Sequence, residues 1–358
     1  MKLYVVGGSI RDILLGKAPK DLDYVVVGSN HDEMISLGFT RVGSGFPVYL
    51  HPDTSDEYAL ARTERKVGVG YNGFECNTEY VSLYDDLSRR DLTINSLAVP
   101  VEHFQEFCDT KDTNVIIDYF GGITDLRNGL LQHINKDFGL DPIRVLRTAR
   151  FAARYGFTVS VNTLMLMNLI ASELNHVPTE RIWAEMFKGL NEHYADKMFD
   201  VLNVAWVFNV DIMRPYKQVD YGSMVNNRDA DVITKFCMAA IGFNKDDYHN
   251  MSIPNDFALI SHAYNERKHD LQNYSKKTAS ERLDILTKLR AFNNNDMVES
   301  VLKVFVKCSP TYGQFIADMV WHDIEQVRTV DAAEISKQFK TGEEIKRAIY
   351  SARLSKLI

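Results

Sequence analysis

The chain has 358 residues and a formal net charge of −7, with 45% hydrophobic and 25% charged residues. This composition is typical of an ordinary globular protein of two or three domains, and no apolar run reaches the roughly 18 residues that a membrane-spanning helix needs. The acidic charge mildly disfavours a nucleic-acid-binding protein but does not exclude a local basic face.

The four cysteines, Cys76, Cys108, Cys237 and Cys308, are scattered and form no C-x-x-C pair. Their spacing argues against a disulfide framework or a zinc site and favours a reducing compartment. The N-terminal stretch "MKLYVVGGSIRD" has too short an apolar run for a signal peptide. We therefore expect a cytoplasmic protein.

In chain order, the first part of the chain, up to about residue 138, is predicted to mix short strands and helices. Helices are expected at 9–16, where Gly16 is a plausible stop, and at 89–98. Residues 116–129 predict a strand, a glycine turn and a short helix. Apolar and β-branched runs predict strands at 2–6, 23–28, 39–43, 47–51, 57–62 and 79–83.

From about residue 141 the pattern becomes helical. Asp141 followed by Pro142 is a strong helix start, and the residues after it carry a broad apolar stripe. The segments that follow are amphipathic at helical period. We therefore expect an all-helical C-terminal half, with domain boundaries that divide the chain into 1–139, 140–226 and 227–358.

Two carboxylates precede an apolar run in "KDLDYVVVG". Alternate residues of a strand point to the same face, so Asp21 and Asp23 would lie side by side, roughly 6–7 Å apart. Carboxylates this close repel each other unless a cation lies between them, and hard oxygen ligands select Mg²⁺. On this pattern alone, a solvated turn explains the two aspartates equally well.

A glycine turn precedes this pair in "VVGGSIRD". Gly7 and Gly8 follow a predicted strand and open a predicted helix, a geometry that lets the backbone approach a phosphate. Arg11 lies in the first turns of that helix, within reach of the same phosphate. The motif matches neither the P-loop nor the dinucleotide-binding fingerprint. Together with the aspartate pair, it predicts triphosphate and metal ligands on adjacent strands.

Arginines at three-residue spacing mark the segment "DPIRVLRTARFAAR". Arg144, Arg147 and Arg150 would share one helix face, and Arg154 follows them. A solvated basic face is the alternative. The stripe lies at a predicted domain junction, where ligands tend to bind, and Asp141 with Arg144 offers acceptors and donors for the edge of a base.

Several segments resemble a known family: "YVVGGSIRDILLGKAPKDLDYVVVG", "GFPVYLHP", "EYALARTERKVGVGYNGFEC", "DDLSRRDLTINSLA", "GGITDLRNGLLQHI" and "DPIRVLRTARFAARYGF". In this order they resemble the class II tRNA nucleotidyltransferases, the CCA-adding enzymes of the polymerase-β-like nucleotidyltransferase superfamily, and most closely the enterobacterial-type branch. The similarity is dense over 1–157, thinner over 158–215 and weak near the C-terminus. The implied fold is α+β: a polymerase-β-like head, built from a mixed sheet with helices, followed by an all-α neck, body and tail.

The resemblance implies addition of C, C and A to the 3′ end of tRNA without a template, from CTP and ATP, by two-metal nucleotidyl transfer that releases pyrophosphate. It implies Mg²⁺ as cofactor and the tRNA acceptor arm, CTP and ATP as partners, with no membrane and no obligatory protein partner. Asp21 and Asp23 are implied as catalytic metal ligands, with Glu57 as a candidate third carboxylate. The implied nucleotide-binding residues are Gly8 and Arg11 at the phosphates, Arg90, the base-reading pair Asp141 and Arg144, and Arg147 with Arg150.

The loop 64–74 resembles the segment linked in this family to the switch from C to A.

Two departures from the sequence pattern of the family stand out. Leu140 takes the place of a glutamate before the base-reading aspartate, and Met238 and Ala239 follow Cys237 where relatives carry the His-Asp pair of an HD phosphohydrolase domain. Since neither Met238 nor Ala239 supplies a ligand of that kind, we expect no functional phosphohydrolase domain.

Other activities share the same head. A CC-adding enzyme, an A-adding enzyme and a poly(A) polymerase stay open as alternatives. A tRNA-binding protein that has lost catalysis is a further alternative, which the intact Asp21, Asp23 and Arg11 disfavour.

The stretch 332–358 holds six Lys or Arg against three Glu. A helix capped by Thr341 and Glu344 is predicted there, either as a basic face that grips tRNA or as a solvated helix end.

Overall fold

The computed structural model describes residues 1–42, 48–66, 74–293 and 295–358. The chain forms two compact units, a first unit of Met1–Arg214 and a second unit of Pro215–Ile358. The three-part division predicted from the sequence stays a prediction.

The first unit is built around a mixed sheet with the strand order β3-β4-β5-β2-β1-β8-β9. β2 and β5 are parallel, and the other neighbours are antiparallel. The strands of this unit are β1 Lys2–Val6, β2 Asp23–Val27, β3 Thr40–Val42, β4 Val48–Leu50, β5 Glu57–Leu60, β6 Thr63–Lys66, β7 Phe74–Asn77, β8 Leu97–Pro100, β9 Ile117–Asp118, β10 Leu130–Leu131 and β11 Thr158–Val159.

Helices cover both faces of this sheet, and the strand pairs β6-β7 and β10-β11 lie outside it. Side chains alternate along β1, so that Val5 packs with the cluster under α1 and α4 while Val6 packs with the cluster under α3. The helices are α1 Gly8–Leu14, α2 His31–Ser36, α3 Leu83–Ser88, α4 Val101–Thr110, α5 Gly122–Arg127, α6 Ile143–Tyr155, α7 Val161–Ile170, α8 Thr179–Leu190 and α9 Ala195–Val204.

The strand predicted at 79–83 is wrong, because this segment is a turn that leads into a helix. Tyr80 has a left-handed φ of 57°. Ser82 is the N-cap of α3, and its side chain and that of Asp85 form a capping box. A cap of this kind satisfies the first free N–H groups of the helix, so the local hydrogen bonding outweighs the β-branched pattern.

The helix predicted at 89–98 is also wrong. Residues Thr93–Asn95 form a single 3₁₀ turn, and Leu97–Pro100 is β8. β8 lies between β1 and β9, and its Leu97, Ala98 and Val99 are completely buried. Pairing within a buried part of the sheet therefore decides the conformation of this segment.

The helix predicted from Asp141 onward is confirmed as α6, which begins at Ile143 and ends before Gly156. Gly156 has a φ of +73°, and a side chain there would meet Tyr194, so glycine is required at this C-terminal position. The helix packs against α8 and α9, and its buried residues include Ile143, Leu146 and Ala149.

The second unit is helical, as predicted, and packs around one large apolar cluster that includes Leu286, Phe305 and Val320. Cys237, Met238 and Ala239 on α11 are completely buried, and Cys237 belongs to this cluster. The capping box of Thr341 and Glu344 is confirmed. The helices are α10 Tyr221–Asn226, α11 Val232–Ala239, α12 Lys245–Asn250, α13 Asn255–Gln272, α14 Ala279–Lys288, α15 Asn295–Cys308, α16 Gly313–Arg328, α17 Ala332–Ser336 and α18 Gly342–Leu354.

Short 3₁₀ helices complete the described secondary structure, at Thr93–Asn95, Thr113–Val115, Lys136–Leu140, Ala171–His176, Val207–Asn209, Asp211–Gln218 and Tyr274–Lys276. Among the helices of the described residues, none has the length and apolar character needed to cross a membrane.

Candidate active site

The turn between β1 and α1 places the backbone of Gly7 next to the guanidinium group of Arg90. Gly7 has a φ of +76°, and a Cβ there would lie 2.8 Å from Nη1 of Arg90. Glycine is therefore needed for the backbone conformation and for the approach of this guanidinium group. Arg90 donates from Nη2 to Asp86 at 3.2 Å. Its Nε is buried and has no hydrogen-bond partner among the described residues.

Arg11 is buried and held from several sides. Its Nε and Nη2 donate to Oδ1 of Asp12 at 3.0 and 2.9 Å, and its Nη1 donates to the side chain of Asn95. The guanidinium carbon lies 5.3 Å from the ring centre of Phe151 and 5.1 Å from that of Tyr155. Carboxylate, amide and aromatic contacts therefore hold this cation in one place.

Asp12 collects donors from two helices. Besides Arg11, it accepts hydrogen bonds from Arg154 at 3.1 Å and from the hydroxyl of Tyr155 at 2.8 Å. Desolvation by burial raises the pKa of Tyr155 above its usual range, and its hydrogen bond to Asp12 acts in the same direction. The tyrosine therefore stays a neutral donor to Asp12 at physiological pH.

An acidic edge lies beside the glycine turn. Asp23 is the first residue of β2 and is opposite Val6 on β1 and Glu57 on β5. Asp21 lies in a bend before the strand, so the predicted strand alternation does not extend to it, and both aspartates are exposed. Desolvation raises the pKa of Asp23; the charge of Arg90 opposes this shift, and that of Asp21 adds to it.

The two aspartates are hard oxygen donors that fit Mg²⁺, which usually takes one or two protein carboxylates and completes its shell with water and phosphate oxygens. Across residues 1–42, 48–66, 74–293 and 295–358, no three or more His, Cys, Asp or Glu side chains converge as a metal site. Glu57 is therefore next to Asp23 in the sheet without completing a three-carboxylate cluster.

Arg89, which precedes Arg90 in the chain, is held by three acceptors. It donates to Asp86 at 2.7 Å, to Glu64 at 2.8 Å and to the carbonyl of Arg62 at 2.9 Å. Asp86 is completely buried. Although its desolvation raises the pKa of this carboxyl, the charges of Arg89 and Arg90 hold the pKa below its usual range. Asp86 is therefore an ionised anchor for both arginines.

The arginine stripe of α6 is held by the protein, so the alternative of a solvated basic face is wrong. Arg144 donates to the carbonyl oxygens of Arg89 at 2.6 Å and Asp137 at 3.1 Å. Arg147 donates to Asp91 at 2.8 Å.

The carboxylate partners along the stripe are buried as well. Burial raises the pKa of Asp91, but the charge of Arg147 and a hydrogen bond from Asn95 keep it well below its usual range. One turn further along α6, Arg150 donates to Glu185 at 2.6 Å.

A cavity of about 670 Å³ joins these groups within the first unit. Its lining holds nine basic and four acidic side chains, an excess of positive charge that fits a polyanion. Of the site residues predicted from the sequence, Asp21 and Glu57 do not line it. Those that do are Gly7, Gly8, Arg11, Asp23, Arg90, Asp141, Arg144, Arg147, Arg150 and Arg154.

Sequence reasoning missed one side of this cavity, which α8 supplies. Arg181 donates to Asp141 at 3.3 Å, Glu185 holds Arg150, and Lys188 lies 3.5 Å from Glu185. The spacing of Arg181, Glu185 and Lys188 places them on one helix face, but without α6 as a partner that spacing does not point to a site. Asp12, Asp86 and Asn95 were missed in the same way, because their roles come from partners distant in sequence.

Two family models match parts of this chain. Residues 3–132 match the model of the poly A polymerase head domain. Residues 156–205 match the model described as a probable RNA- and SrmB-binding site of polymerase A.

Two curated relatives are "Multifunctional CCA protein" of Nitrosospira multiformis and of Nitrosomonas europaea, each 50% identical over 205 residues. The match covers 56% of this chain and 47% of each relative. The chain therefore spans about half the length of these curated relatives.

Solved structures share the fold over nearly the whole chain. The apo form II of a CCA-adding enzyme gives a TM-score of 0.68 at 20% identity and covers 99% of this chain and 88% of that one. A complex of CCA-adding enzyme with ATP gives 0.67 at 20% identity, covering 99% and 86%. The Thermotoga maritima enzyme complexed with tRNA gives 0.65 at 19% identity, covering 99% and 87%. The predicted fold class, α+β with a polymerase-β-like head and a helical remainder, is confirmed.

Proposed function

We propose that this protein is a class II tRNA nucleotidyltransferase that adds C, C and A to the 3′ end of tRNA from CTP and ATP and releases pyrophosphate. The observation that carries the proposal is the cavity of the first unit, in which the glycine turn, Asp23 and fixed arginines surround one space. The names of the two curated relatives and of the similar structures support the same activity.

The triphosphate is proposed to bind at the glycine turn. Gly8 leaves room for a close approach of the backbone, and Arg11 and Arg90 place cations on both sides of that turn. The unpaired Nε of Arg90 is a donor that a phosphate oxygen would satisfy. Since these cations are already fixed by Asp12 and Asp86, they stabilise charge on the phosphates without reorganisation.

Asp21 and Asp23 are proposed to hold Mg²⁺. When bound there, the metal supplies stabilisation of the charge on the reacting phosphates and lowers the pKa of the attacking hydroxyl. The contribution of the protein is to hold Asp23 at the end of β2 and Asp21 in the bend before it, and to position the triphosphate beside them. Glu57, opposite Asp23 on β5, stays a candidate third carboxylate.

Asp141 and Arg144 are proposed to read the base. Arg144 is anchored by two backbone carbonyl oxygens, and Asp141 accepts from Arg181 and from the backbone N–H of Ile143. A fixed donor beside a fixed acceptor can distinguish the hydrogen-bonding edges of C and A from those of U and G. Arg147 and Arg150 complete the basic wall.

The finer assignments belong to the same proposal. We propose the enterobacterial-type branch from the sequence resemblance over 1–157. We also propose that a functional HD phosphohydrolase domain is absent, because Met238 and Ala239 are apolar and completely buried. We also keep the three-part division into 1–139, 140–226 and 227–358, a cytoplasmic location and the absence of an obligatory protein partner as proposals. The loop 64–74, proposed for the switch from C to A, lies outside the described residues at 67–73.

The experiment that tests the function is the incorporation of labelled CTP and then ATP onto tRNA that ends before, within or after its CC sequence. Sequential, Mg²⁺-dependent addition of C, C and A supports the proposal. Addition that stops after CC, that requires a preexisting CC end, or that continues into a poly(A) tail identifies one of the alternative polymerases. No incorporation with retained tRNA binding would indicate a protein that has lost catalysis.

A further inference from the structure

A second cavity, of about 700 Å³, belongs to the second unit, whereas the first cavity, described above, belongs to the first unit. Its described lining residues lie within 245–262, on α12, on α13 and in the turn that joins them. A volume of this size is typical of a site for a small molecule. The proposed steps of nucleotide addition use no residue of this lining, so they leave the second cavity without a role.

Hydrogen bonds fix the shape of the second cavity. The hydroxyl groups of Tyr248 on α12 and Ser261 on α13 lie 3.0 Å apart, and both residues are buried. In the turn between the helices, the backbone N–H of Ile253 donates to the carbonyl oxygen of Tyr248 at 3.0 Å. The backbone N–H of Ser252 donates to the carbonyl oxygen of His249 at 3.1 Å. The cavity is therefore preformed, and little free energy is lost to ordering of the chain when a ligand binds.

The inner surface of the second cavity is apolar. Tyr248 and Ile253 line it with exposed fractions of 4% and 7%. Ala258 and Leu259 of α13 extend this surface, and 51% of Leu259 is exposed. The ring of His262 is edge-on to that of Tyr248, with ring centres 6.2 Å apart and planes at 75°. A mixed aromatic and aliphatic surface of this kind favours a flat, apolar ring as the body of the ligand.

Three basic side chains, Lys245, His249 and His262, also line the second cavity. Among the described residues of its lining there is no aspartate and no glutamate. Glu266 lies outside this lining, 3.7 Å from Nε2 of His262, so it compensates one of the three basic groups. An apolar cavity with Lys245 and His249 on one side favours a ligand with negative charge.

The number of basic groups limits the charge of the ligand. The first cavity has nine basic side chains and fits a polyanion, whereas the second has three. A metal ion is disfavoured as well, because no three or more His, Cys, Asp or Glu side chains converge as a metal site in the part of the chain that the structure describes. The second cavity therefore fits a ligand with one negative charge and an apolar ring.

We infer that the second cavity binds a small aromatic carboxylate. The ring packs against Tyr248, Ile253 and Leu259, and the carboxylate accepts charge-assisted hydrogen bonds from Lys245 and His249. Binding is non-covalent and removes the ring from water. The inference goes beyond the proposed function and is independent of it, because every residue that it uses lies in the second unit.

The first test compares two probes that share a ring and differ in charge. Naphthoate carries a carboxylate, and naphthalenemethanol carries a neutral hydroxyl. In equilibrium dialysis against the full chain, naphthoate should bind at a single site and about tenfold or more tightly than naphthalenemethanol, because only the carboxylate gains charge-assisted hydrogen bonds. Equal affinity of the two probes, or no saturable binding of naphthoate, would overturn the inference.

The second test fills the cavity. Ala258→Leu adds volume to the α13 wall and should weaken binding of naphthoate by about tenfold or more. Ala18→Leu is the matched control, since it adds the same volume at an exposed position of a cavity of about 480 Å³ in the first unit, which is also lined by lysines. The control should bind naphthoate within about twofold of wild type. Loss of binding in Ala18→Leu but not in Ala258→Leu would place the probe in the first unit and overturn the inference.

A variant of exposed side chains guards against misfolding. Lys245→Gln combined with His249→Gln changes two exposed positions of α12. This double variant should bind naphthoate about tenfold more weakly and naphthalenemethanol as wild type does. Its circular dichroism spectrum and its urea midpoint should match those of wild type. An unchanged affinity for naphthoate would show that these groups do not bind the carboxylate, and would overturn the inference.

Competition with CTP and with tRNA separates the second cavity from the proposed substrate sites. Naphthoate should stay bound in the presence of either one. Displacement of naphthoate by CTP would assign the probe to the first cavity, and displacement by tRNA would assign the second cavity to an RNA-binding surface. Either result would overturn the inference.

Discussion

Both units of the molecule bury an aspartate that accepts hydrogen bonds from an arginine and a tyrosine. In the first unit, Asp12 accepts from Arg11 at 2.9 Å and from the Tyr155 hydroxyl at 2.8 Å. The exposed fraction of Asp12 is 7%. The arginine of this group also lines the large cavity, so its charge is available to a ligand.

In the second unit, Asp323 accepts from Arg282 at 2.8 Å and from the Tyr274 hydroxyl at 2.7 Å, and its exposed fraction is 4%. Here Arg282 also donates to the backbone carbonyl of Leu357 at 2.8 Å, which ties the C-terminal residues to α14. The same three residue types thus hold a ligand-facing cation in one unit and join chain segments in the other. Burial and ion pairing alone do not identify a functional site; the surroundings of the cation do.

The largest effect is expected at the acidic edge of the first unit. Asp23→Ala removes a proposed metal ligand from an exposed strand end without opening a cavity in the core. Labelled CTP incorporation should fall below about one per cent of wild type, while thermal unfolding by circular dichroism stays unchanged. Asp21→Ala should behave alike. Activity above that level with ordinary Mg²⁺ dependence in either variant would remove that aspartate from the ligand set.

The second unit should respond to loss of its buried aspartate through stability. Asp323→Ala leaves the partly buried Arg282 without its carboxylate partner and the buried Tyr274 hydroxyl without its acceptor, and the free energy of unfolding should decrease by about 3–5 kcal/mol. Urea unfolding followed by circular dichroism measures this change. Asp318→Ala, at an exposed position of the same helix, is the matched control and should change the free energy by less than about 0.5 kcal/mol. Equal effects of the two variants would contradict a structural role for Asp323.

The corresponding change in the first unit should mainly affect binding. Asp12→Asn keeps the shape of the side chain but weakens its hold on Arg11, so the KM values for CTP and ATP should rise together by roughly 10- to 100-fold, about 1.5–3 kcal/mol. Tyr155→Phe removes a single neutral donor and should have a smaller effect on both. A change in kcat with unaltered KM values would show that Asp12 does not position the phosphate-binding cation.

Substitutions in the first cavity should affect the choice of base and the binding of phosphate separately. Asp141→Ala should reduce the preference for CTP and ATP over UTP and GTP by about 1–3 kcal/mol. Arg11→Ala should weaken binding of all four triphosphates alike, because a phosphate contact carries no base information. Competition assays with the four nucleotides measure both effects. An unchanged preference in Asp141→Ala would refute its role in base reading.

The smallest effect is expected on α18 in the second unit. Arg353 lies 3.9 Å from the ring centre of Phe292, and burial lowers its pKa, so it belongs to the packing rather than to a free basic face. Lys346 and Arg347 are exposed. Replacing both with glutamine should raise the KM for tRNA and reduce the slope of log affinity against log salt by about 1 to 2. An unaltered slope would leave a solvated helix end as the role of these cations.

The elements that were predictable from the sequence are those that local physics decides. The strand at Lys2–Val6, the glycine turn after it and the helix that ends before Gly156 follow from periodicity, backbone conformation and capping. The failures at 79–83 and 89–98 occurred where a capping box or pairing inside the sheet outweighed the local pattern. Tertiary partners, rather than propensity, decide such segments.

The candidate site was predictable only in part, for a related reason. The glycine turn, the aspartates and the α6 arginines are close in sequence and share a recognisable spacing. Their anchors are not: Asn95 meets Arg11 from 84 positions away, and Glu185 meets Arg150 from 35 positions away. Such pairs form only when the fold brings them together, and a single sequence does not show them.

The contact of Arg11 with Phe151 and Tyr155 has a consequence for biosynthesis. Arg11 emerges from the ribosome long before the two rings on α6 that flank it. A nascent chain that has reached residue 139 therefore contains the glycine turn, both aspartates and Arg90 but lacks the two rings that hold Arg11. Affinity for nucleotide should appear late in synthesis, after α6 has docked, so partly made chains would not withdraw triphosphates from the cellular pool. Substitutions in α1 and α6 are also expected to co-evolve, since Arg11 and Asp12 of α1 contact Phe151, Arg154 and Tyr155 of α6.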